Sequence, residues 1–198
     1  MREEHVADEQ TCPMNLDTYQ PPRGEDAVLV AVQHGIAGRA GVLPGARALS
    51  HFGEHSAGWV GLALLGALVD PRRRREWLTA GAGAFVAHAA AVVIKRVVRR
   101  KRPHHPAIAV NVGTPSKLSF PSAHATSTAA AALLLARATG SRLPLLVVPP
   151  MALSRLVLGV HYPTDVLTGV VVGAAVAKTV GVVADRVDPA MASKETTA

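Results

Sequence analysis

The chain has 198 residues, of which 49% are hydrophobic and only 4% aromatic, and its formal net charge is +7. This length gives one domain of ordinary size, and the abundance of small and aliphatic residues is typical of helices packed closely in lipid. The single cysteine, Cys12, excludes an internal disulfide framework and a cysteine-based zinc site. The positive charge leaves three partner classes open: nucleic acid, an acidic membrane surface and an anionic substrate.

The N-terminal segment 1–26 is acidic and has little periodicity, which predicts a disordered polar tail. It has no basic stretch followed by an apolar one, so it does not resemble a secretory signal. Residues 27–186 form the predicted membrane domain, and 187–198 form a second short tail. Between residues 27 and 50, apolar residues alternate with basic residues and glycines, a pattern that favours short amphipathic helices lying at the membrane interface.

Five apolar runs follow, and each predicts a membrane helix. They cover residues 56–69, 78–94, 118–136, 143–154 and 166–184. A bilayer core of ~30 Å needs about 20 helical residues, so several runs span only if flanking polar side chains reach the headgroups. The alternative is a soluble helical protein with very apolar helices. The sequence shows no alternation of apolar and polar residues of the kind that predicts β-strands. We therefore expect an all-α fold, a polytopic membrane helical bundle of about five spanning helices plus N-terminal interfacial helices.

Three short polar blocks lie where these runs begin or end. The first is Lys95, six residues and Arg102-Pro103; the second is Pro121-Ser122-Ala123-His124; the third is Ser154-Arg155, five residues, His161, three residues and Asp165. If the five runs cross the membrane in turn, all three blocks lie on the same membrane face. The sequence therefore predicts that they converge in one pocket.

The residue types in these blocks suit phosphoryl transfer. Such a reaction needs cations and backbone donors around three equatorial oxygens of the phosphoryl group. Arg102 and Arg155 offer bidentate guanidinium groups, and Lys95 offers a compact charge. Ser122 opens an apolar helix, where its hydroxyl and the following amides could bind an anion. Taken alone, however, a serine in that position is more often a helix N-cap.

The two histidines and the aspartate complete the candidate machinery. Asp165 follows His161 by four residues, close enough to accept a hydrogen bond from one imidazole nitrogen and leave the other as a nucleophile. His124 is then the candidate general acid and base. A lone histidine near a helix start is more often a surface or capping residue, so the prediction rests on the joint pattern. Two histidines in different roles favour a phosphohistidine intermediate over a metal site.

Other basic residues near the first block have less specific interpretations. Arg99, Arg100 and Lys101 form a juxtamembrane patch that is typical of contact with anionic lipid. His104 and His105 are candidate headgroup contacts or simply solvated loop residues. The sequence leaves those two readings of the histidine pair open.

With these motifs, the chain resembles the type 2 phosphatidic acid phosphatase superfamily over roughly residues 55–184. Its one departure from the family's three-part signature is Ala123, where the family usually has glycine. The resemblance implies a helical bundle without metal or other cofactor. It makes His161 the nucleophile, Asp165 its orienting group and His124 the general acid and base. The phosphate-holding residues that it implies are Lys95, Arg102, Ser122, Ala123 and Arg155.

A narrower likeness, carried by Gly53-Glu54-His55-Ser56, 95–106 and 112–126, is to actinobacterial phosphatases of polyprenyl-linked sugar phosphates. This likeness implies that the substrate is a polyprenyl-linked sugar phosphate and that the protein crosses the cell membrane several times. It also implies contact with membrane lipids and none with nucleic acid. Within this class, prenyl diphosphate and phosphatidic acid or phosphatidylglycerophosphate remain alternative substrates. Outside it, the alternatives are a vanadate-type haloperoxidase and a non-catalytic basic membrane protein. Oligomeric state and the orientation of the pocket across the membrane stay open.

Overall fold

The computed structural model describes residues 20–187, and regular structure within that range is helical. The helices are α1 (Glu25–Val32), α2 (Val42–Gly53), α3 (Ala57–Val69), α4 (Arg74–Val98), α5 (Ala123–Thr139), α6 (Val148–Val157) and α7 (Pro163–Val187). Between residues 20 and 187 there is no strand, and the one isolated bridge pairs Lys101 with Leu118. The first helix begins at Glu25, two residues before the predicted domain boundary. Most of the two predicted tails lies outside the described residues.

Three helical elements are long and apolar enough to cross a membrane: Val42–Val69, Pro71–Val98 and Pro163–Val187. The other two predicted runs form shorter elements. Helix α5 has 17 residues, about 25 Å of helix, and Leu143–Val157 is also a shorter apolar helix. The all-α membrane bundle is therefore confirmed, with three candidate spans and two shorter helices among the described residues.

The N-terminal part of the bundle differs from the sequence-based expectation. Instead of lying apart as an interfacial helix, α2 continues through a 3-10 turn, Glu54–Ser56, into α3. His55 and Ser56 in this turn have left-handed backbone angles, with φ of 50° and 57°. Residues other than glycine adopt this conformation uncommonly. The run that begins at residue 56 is therefore only the second half of a longer, kinked element.

Helix α5 forms the centre of the bundle, between α4 and α7. Its approach to α7 depends on two glycines of α7, one turn apart. A Cβ atom at Gly169 would lie 2.8 Å from the carbonyl oxygen of Ser122, and one at Gly173 would lie 2.9 Å from Cβ of Ala129. Small residues allow helix backbones in a membrane to approach closely. This close packing fixes the start of α7 beside the start of α5.

Large apolar side chains lie on the outside of the bundle. Leu68 on α3, Val97 on α4 and Leu167 on α7 are all more than half exposed. An exposed apolar surface of this kind is typical of a membrane-facing protein. The outer surface of the helices therefore suits lipid.

The connection between α4 and α5 folds over one end of the bundle. Gln33, in a π-helical turn after α1, is buried and holds this connection in place. Its Nε2 donates hydrogen bonds to the carbonyl oxygens of Ala109, at 2.7 Å, and Val157, at 3.0 Å. Its Oε1 accepts from the amide of Ala109 at 3.0 Å. One N-terminal side chain thus joins the connection to the end of α6.

Candidate active site

A pocket of about 580 Å³ opens at the end of the bundle where α4 and α6 end and α5 and α7 begin. Residues from all three sequence blocks line it. Those among the predicted site residues are Lys95, Arg102, Ala123, His124, Arg155 and His161. Asp165 lies behind His161 and is fully buried. The structure therefore brings the three blocks together at one end of the bundle.

His161, in the loop before α7, has a tautomer fixed by its neighbours. Its Nε2 lies 3.3 Å from Nη1 of Arg102. A guanidinium group only donates hydrogen bonds, so Nε2 must accept and the ring proton must be on Nδ1. That nitrogen faces Oδ2 of Asp165 at 3.7 Å, a distance longer than a hydrogen bond. The ring therefore carries its lone pair on the side away from Asp165.

The environment of His161 also keeps its ring neutral. Burial is the largest cause that lowers the pKa of His161 to about 3; the charges of Arg102 and Lys95 act in the same direction, and Asp165 opposes them. A neutral imidazole at neutral pH is the form that has a free nitrogen lone pair. The electrostatics and the tautomer together suit a nucleophile.

Asp165, at the start of α7, is held through both of its carboxylate oxygens. Oδ2 accepts a hydrogen bond from the amide of Tyr162 at 2.8 Å, and Oδ1 accepts one from Nη1 of Arg100 at 2.9 Å. The main-chain oxygen of Asp165 also accepts from the amide of Ser122 at 2.9 Å. These bonds fix the carboxylate relative to both the His161 loop and the start of α5.

His124, in the first turn of α5, is held by α2. Its Nε2 lies 2.9 Å from the carbonyl oxygen of Ser50. Because a carbonyl oxygen only accepts, Nε2 carries a proton, and Nδ1 is the nitrogen that can exchange a proton without breaking this bond. A Cβ atom at Gly53 would lie 2.6 Å from Cδ2 of His124. Glycine at that position therefore lets α2 approach the imidazole.

Arg155, at the end of α6, is almost fully buried. Its Nη1 donates to the hydroxyl of Ser50 and its Nε to the hydroxyl of Ser154, both at 3.2 Å. Its Nη2 is buried and has no hydrogen-bond partner among the described residues. Buried donors are usually paired, so this free N–H group beside the pocket suits an anionic oxygen.

Arg102, in the connection between α4 and α5, lies beside the ring of His161. Its Nε donates to the carbonyl oxygen of Ser116 at 2.8 Å, and its Nη1 donates to that of Val160 at 2.6 Å. Burial lowers the pKa of Arg102 to about 10, so the group stays protonated at neutral pH. It contributes a fixed positive charge next to Nε2 of His161.

Lys95, near the end of α4, binds main-chain oxygens. Its Nζ donates to the carbonyl oxygens of Pro121, at 2.6 Å, Ser119, at 2.8 Å, and Leu118, at 3.4 Å, so its three N–H groups all have acceptors. The ammonium group therefore supports the chain that leads into α5 while its charge remains at the pocket wall. Direct contact with a phosphate stays a prediction for Lys95, and it requires one of these bonds to be exchanged.

Ser122 caps the start of α5. It is fully buried and does not line the pocket, and its hydroxyl accepts from the amide of Ala125 at 3.5 Å as the N-cap of α5. Ala123, the departure from the family signature, does line the pocket. The first amides of a helix lack intrahelical partners, so the helix start suits an anion. Phosphate contact by Ser122 and Ala123 stays a prediction.

The three candidate headgroup contacts in the loop after α4 do not line the pocket. His105 Nε2 bonds to the carbonyl oxygen of Gln20 at 3.0 Å, and His105 Nδ1 accepts from the amide of Ala107 at 3.1 Å. His104 is exposed, and Arg99 ends α4 with a left-handed backbone. Headgroup or lipid contact by His104, His105 and Arg99 therefore stays a prediction.

Several contributors to the site were missed by sequence reasoning. They are Glu25, Ser50, Gly53, His88 and Arg100. Arg100 was assigned to lipid because nothing in the sequence distinguishes it from its basic neighbours on either side. Glu25 was placed in the polar tail. The only available signal was the segment around Gly53, which the narrower family likeness included without assigning it a role.

Residues 20–187 contain no cluster of side chains suited to a metal ion. No group of three or more histidine, cysteine, aspartate or glutamate side chains in that range is arranged to hold a metal ion. Apart from Glu54, the titratable side chains that line the pocket are cations and imidazoles, a set that suits an anion.

Comparison with known proteins gives one family and several close relatives. Residues 76–187 match the PAP2 superfamily. The chain is 80% identical over 148 residues to decaprenylphosphoryl-5-phosphoribose phosphatase of Mycolicibacterium smegmatis, covering 75% of this chain and 82% of that protein. It is 70% identical over 166 residues to the protein of the same name in Mycobacterium tuberculosis, covering 84% and 92%.

Two solved structures share the fold. The transmembrane PAP2 type phosphatidylglycerolphosphate phosphatase from Bacillus subtilis aligns with a TM-score of 0.63 at 20% identity, covering 82% of this chain and 87% of that one. Aquifex aeolicus LpxE aligns with a TM-score of 0.57 at 17% identity, covering 78% and 92%. At these identities the likeness establishes the fold alone.

Proposed function

Because the chain belongs to the PAP2 superfamily, we propose that it is a membrane phosphatase that hydrolyses decaprenylphosphoryl-5-phosphoribose to decaprenylphosphoryl-ribose and inorganic phosphate. The observation that carries this proposal is the identity of 70–80% to two proteins of that name over most of their length. The tautomers and charges of the pocket support the chemistry. The apolar outer surface supports a location in the cell membrane, where a polyprenyl-linked substrate resides.

The first step is attack by Nε2 of His161 on the 5-phosphate. A nitrogen–phosphorus bond forms, and the bond between phosphorus and the ribose 5-oxygen breaks. His124, protonated on Nδ1 as well as Nε2, gives the Nδ1 proton to the departing oxygen. Arg102 and the free N–H group of Arg155 offset the charge on the transferring oxygens.

The second step is hydrolysis of the phosphohistidine. His124, now neutral, takes a proton from a water molecule as the water oxygen attacks phosphorus. The nitrogen–phosphorus bond breaks, the electron pair returns to Nε2 of His161, and phosphate leaves. Asp165 stays beside Nδ1 of His161 in both steps and stabilises the positive charge that develops on the ring.

Part of the pocket wall suits a sugar headgroup. Glu54, His55 and His88 line it, and the rings of the two histidines have centroids 5.8 Å apart. Nδ1 of His88 is buried without a hydrogen-bond partner among the described residues. His88 precedes Lys95 by seven residues on α4, about 10 Å along the helix. The imidazole of His88, about 10 Å from Lys95 along α4, and the nearby carboxylate of Glu54 suit hydroxyl groups of a phosphorylated pentose.

A substrate panel tests the proposed function. Purified protein in detergent, with EDTA present, is assayed for phosphate release from decaprenylphosphoryl-5-phosphoribose, a prenyl diphosphate and phosphatidic acid. We expect the largest kcat/KM for the ribosyl substrate. An equal or larger value for either of the other lipids would overturn the substrate assignment, and loss of all activity in EDTA would overturn the metal-independent mechanism.

The same panel tests the headgroup wall. His88→Ala is expected to lower kcat/KM for the ribosyl substrate by about tenfold, the effect of about 1.4 kcal/mol of lost contact. Its activity toward phosphatidic acid should stay near that of the unaltered protein. An equal loss on both lipids would remove His88 from headgroup selection.

A further inference from the structure

Arg100 makes several polar contacts around the start of α7. Its Nη1 donates to Oδ1 of Asp165 at 2.9 Å and to the hydroxyl of Thr164 at 2.7 Å. Its guanidinium carbon lies 4.2 Å from the ring centroid of Tyr162, in a cation–π arrangement. Arg100 thus contacts both Tyr162, which follows the proposed nucleophile His161, and the carboxylate of Asp165, which faces His161.

Glu25, the first residue of α1, completes this cluster. One of its oxygens pairs with Nη2 of Arg100. The other accepts from the amide of Thr164 at 3.0 Å and from its hydroxyl at 2.7 Å. Burial raises the pKa of Glu25, but the bonds from Thr164 and Arg100 lower it by more. Glu25 is therefore ionised at neutral pH and holds Arg100 against α7.

We propose that Arg100 is a positioning residue for the nucleophile, acting through Asp165, and that Glu25 positions Arg100. This inference rests on the proposed function only in taking His161 as the nucleophile. Arg100 occupies one of the six unspecified positions between Lys95 and Arg102, so the family signature does not assign it. Glu25 lies before the segment 76–187 that matches the family.

The geometry explains why this carboxylate needs an arginine. Asp165 is fully buried, and a buried charge is costly unless a counter-charge and hydrogen bonds compensate it. Arg100 satisfies Oδ1, while Oδ2 accepts from the amide of Tyr162 and also faces Nδ1 of His161 at 3.7 Å. Without the bond from Arg100, the carboxylate loses its counter-charge and can shift, so the negative charge that faces Nδ1 is no longer held in place.

Kinetics of Arg100→Gln test the proposal. We expect kcat to fall by about tenfold to a hundredfold, the range found when the partner of an orienting group is removed. KM and the inhibition constant of inorganic phosphate should change by less than about twofold, because Arg100 does not line the pocket. Arg72→Gln removes the same charge from an exposed residue just before α4, at the other end of that helix. This control should leave kcat and KM unchanged.

Two further variants keep the proposal testable if Arg100→Gln does not fold. Arg100→Lys retains the charge and should recover part of the lost kcat. Glu25→Gln removes the charge that holds Arg100, and its smaller loss of kcat should not add to that of Arg100→Gln in the double variant. Full additivity, or kcat of both single variants equal to that of Arg72→Gln, would overturn the proposal.

Histidine NMR supplies a readout that does not depend on turnover. In ¹⁵N-histidine-labelled protein, His161 should be the Nδ1–H tautomer, and Arg100→Gln should shift its Nδ1 resonance because the facing carboxylate moves. An unchanged His161 spectrum would overturn the positioning role. Kinetic constants are measured on whichever panel lipid is hydrolysed fastest, so a different preferred lipid overturns only the substrate assignment. Absence of phosphatase activity from the unaltered protein overturns the proposed function, while the Nδ1 resonance of His161 still decides the role of Arg100.

Discussion

The family-matching segment 76–187 and the three N-terminal helices contribute to the same pocket in different ways. The segment supplies the groups proposed to meet the phosphate, namely His124, Arg155 and His161. The N-terminal helices supply contacts that position these groups. Ser50 of α2 accepts from both His124 and Arg155, and Glu25 of α1 pairs with Arg100 beside Asp165.

This difference separates reactive groups from the contacts that orient them. A nucleophile, an acid and a set of cations must be particular residue types, because the reaction needs their chemistry. Orientation can instead come from a backbone carbonyl, as at Ser50, or from a missing side chain, as at Gly53. Such contacts leave little trace in a motif. The N-terminal helices are therefore expected to affect geometry and rate without supplying the chemistry.

The largest expected effect is in the family-matching segment. His161→Ala removes the proposed nucleophile and should lower kcat by at least about 10⁴-fold, as loss of a catalytic nucleophile does elsewhere. Phosphate release measured over hours on the preferred lipid checks this. His34→Ala, at an exposed histidine of the π-helical turn, is the matched control. Turnover near that of the control would remove His161 as the nucleophile.

A smaller but specific effect is expected from the N-terminal helices. Gly53→Ala introduces a methyl group 2.6 Å from Cδ2 of His124, so the imidazole must move. A displaced catalytic group lowers kcat by about tenfold to a hundredfold. Gly45→Ala, in the same helix, meets no atom within 4 Å and should retain the unaltered kcat. Equal kcat values for the two variants would show that α2 does not set the position of His124.

The smallest expected effect is at Ser50. Ser50→Ala removes the hydroxyl that accepts from Arg155 but keeps the carbonyl that accepts from His124. Loss of one hydrogen bond of about 1 kcal/mol should raise KM roughly fivefold with kcat nearly constant. Ser141→Ala, after α5 at the far end of the bundle, is the control. A fall in kcat as large as that of Gly53→Ala would mean that the two contacts of Ser50 are not separable.

Much of the fold follows from the sequence, because long apolar runs in a bilayer have few alternatives to helices. The run lengths did not give the joining of α2 to α3. That kink depends on left-handed backbone at His55 and Ser56, and neither residue type signals this conformation. The bend between α2 and α3 occurs where α2 packs beside α5, and the local sequence does not favour it.

The site likewise has features that the sequence predicts and features that depend on the folded structure. Residue types and spacing gave His161, Asp165, His124, Arg102 and Arg155, and the alternation of helix direction gave their common end of the bundle. Spacing gave neither the direction of Lys95 toward the carbonyl oxygens of the loop nor the burial of the Ser122 hydroxyl. Those orientations depend on which donors and acceptors lie within reach after the chain folds.

The sequence by itself determined a helical membrane bundle and the chemical groups of a phosphate pocket, because hydropathy and reaction chemistry both constrain residue type. Only the tertiary structure decided which of several neighbouring cations serves Asp165. Arg99, Arg100 and Lys101 are alike in charge, but Arg100 alone among them contacts the carboxylate and Glu25 in the described chain. The physical reason is direction: the chain path after α4 points one side chain at the start of α7, and a hydrogen bond depends on that direction as much as on charge.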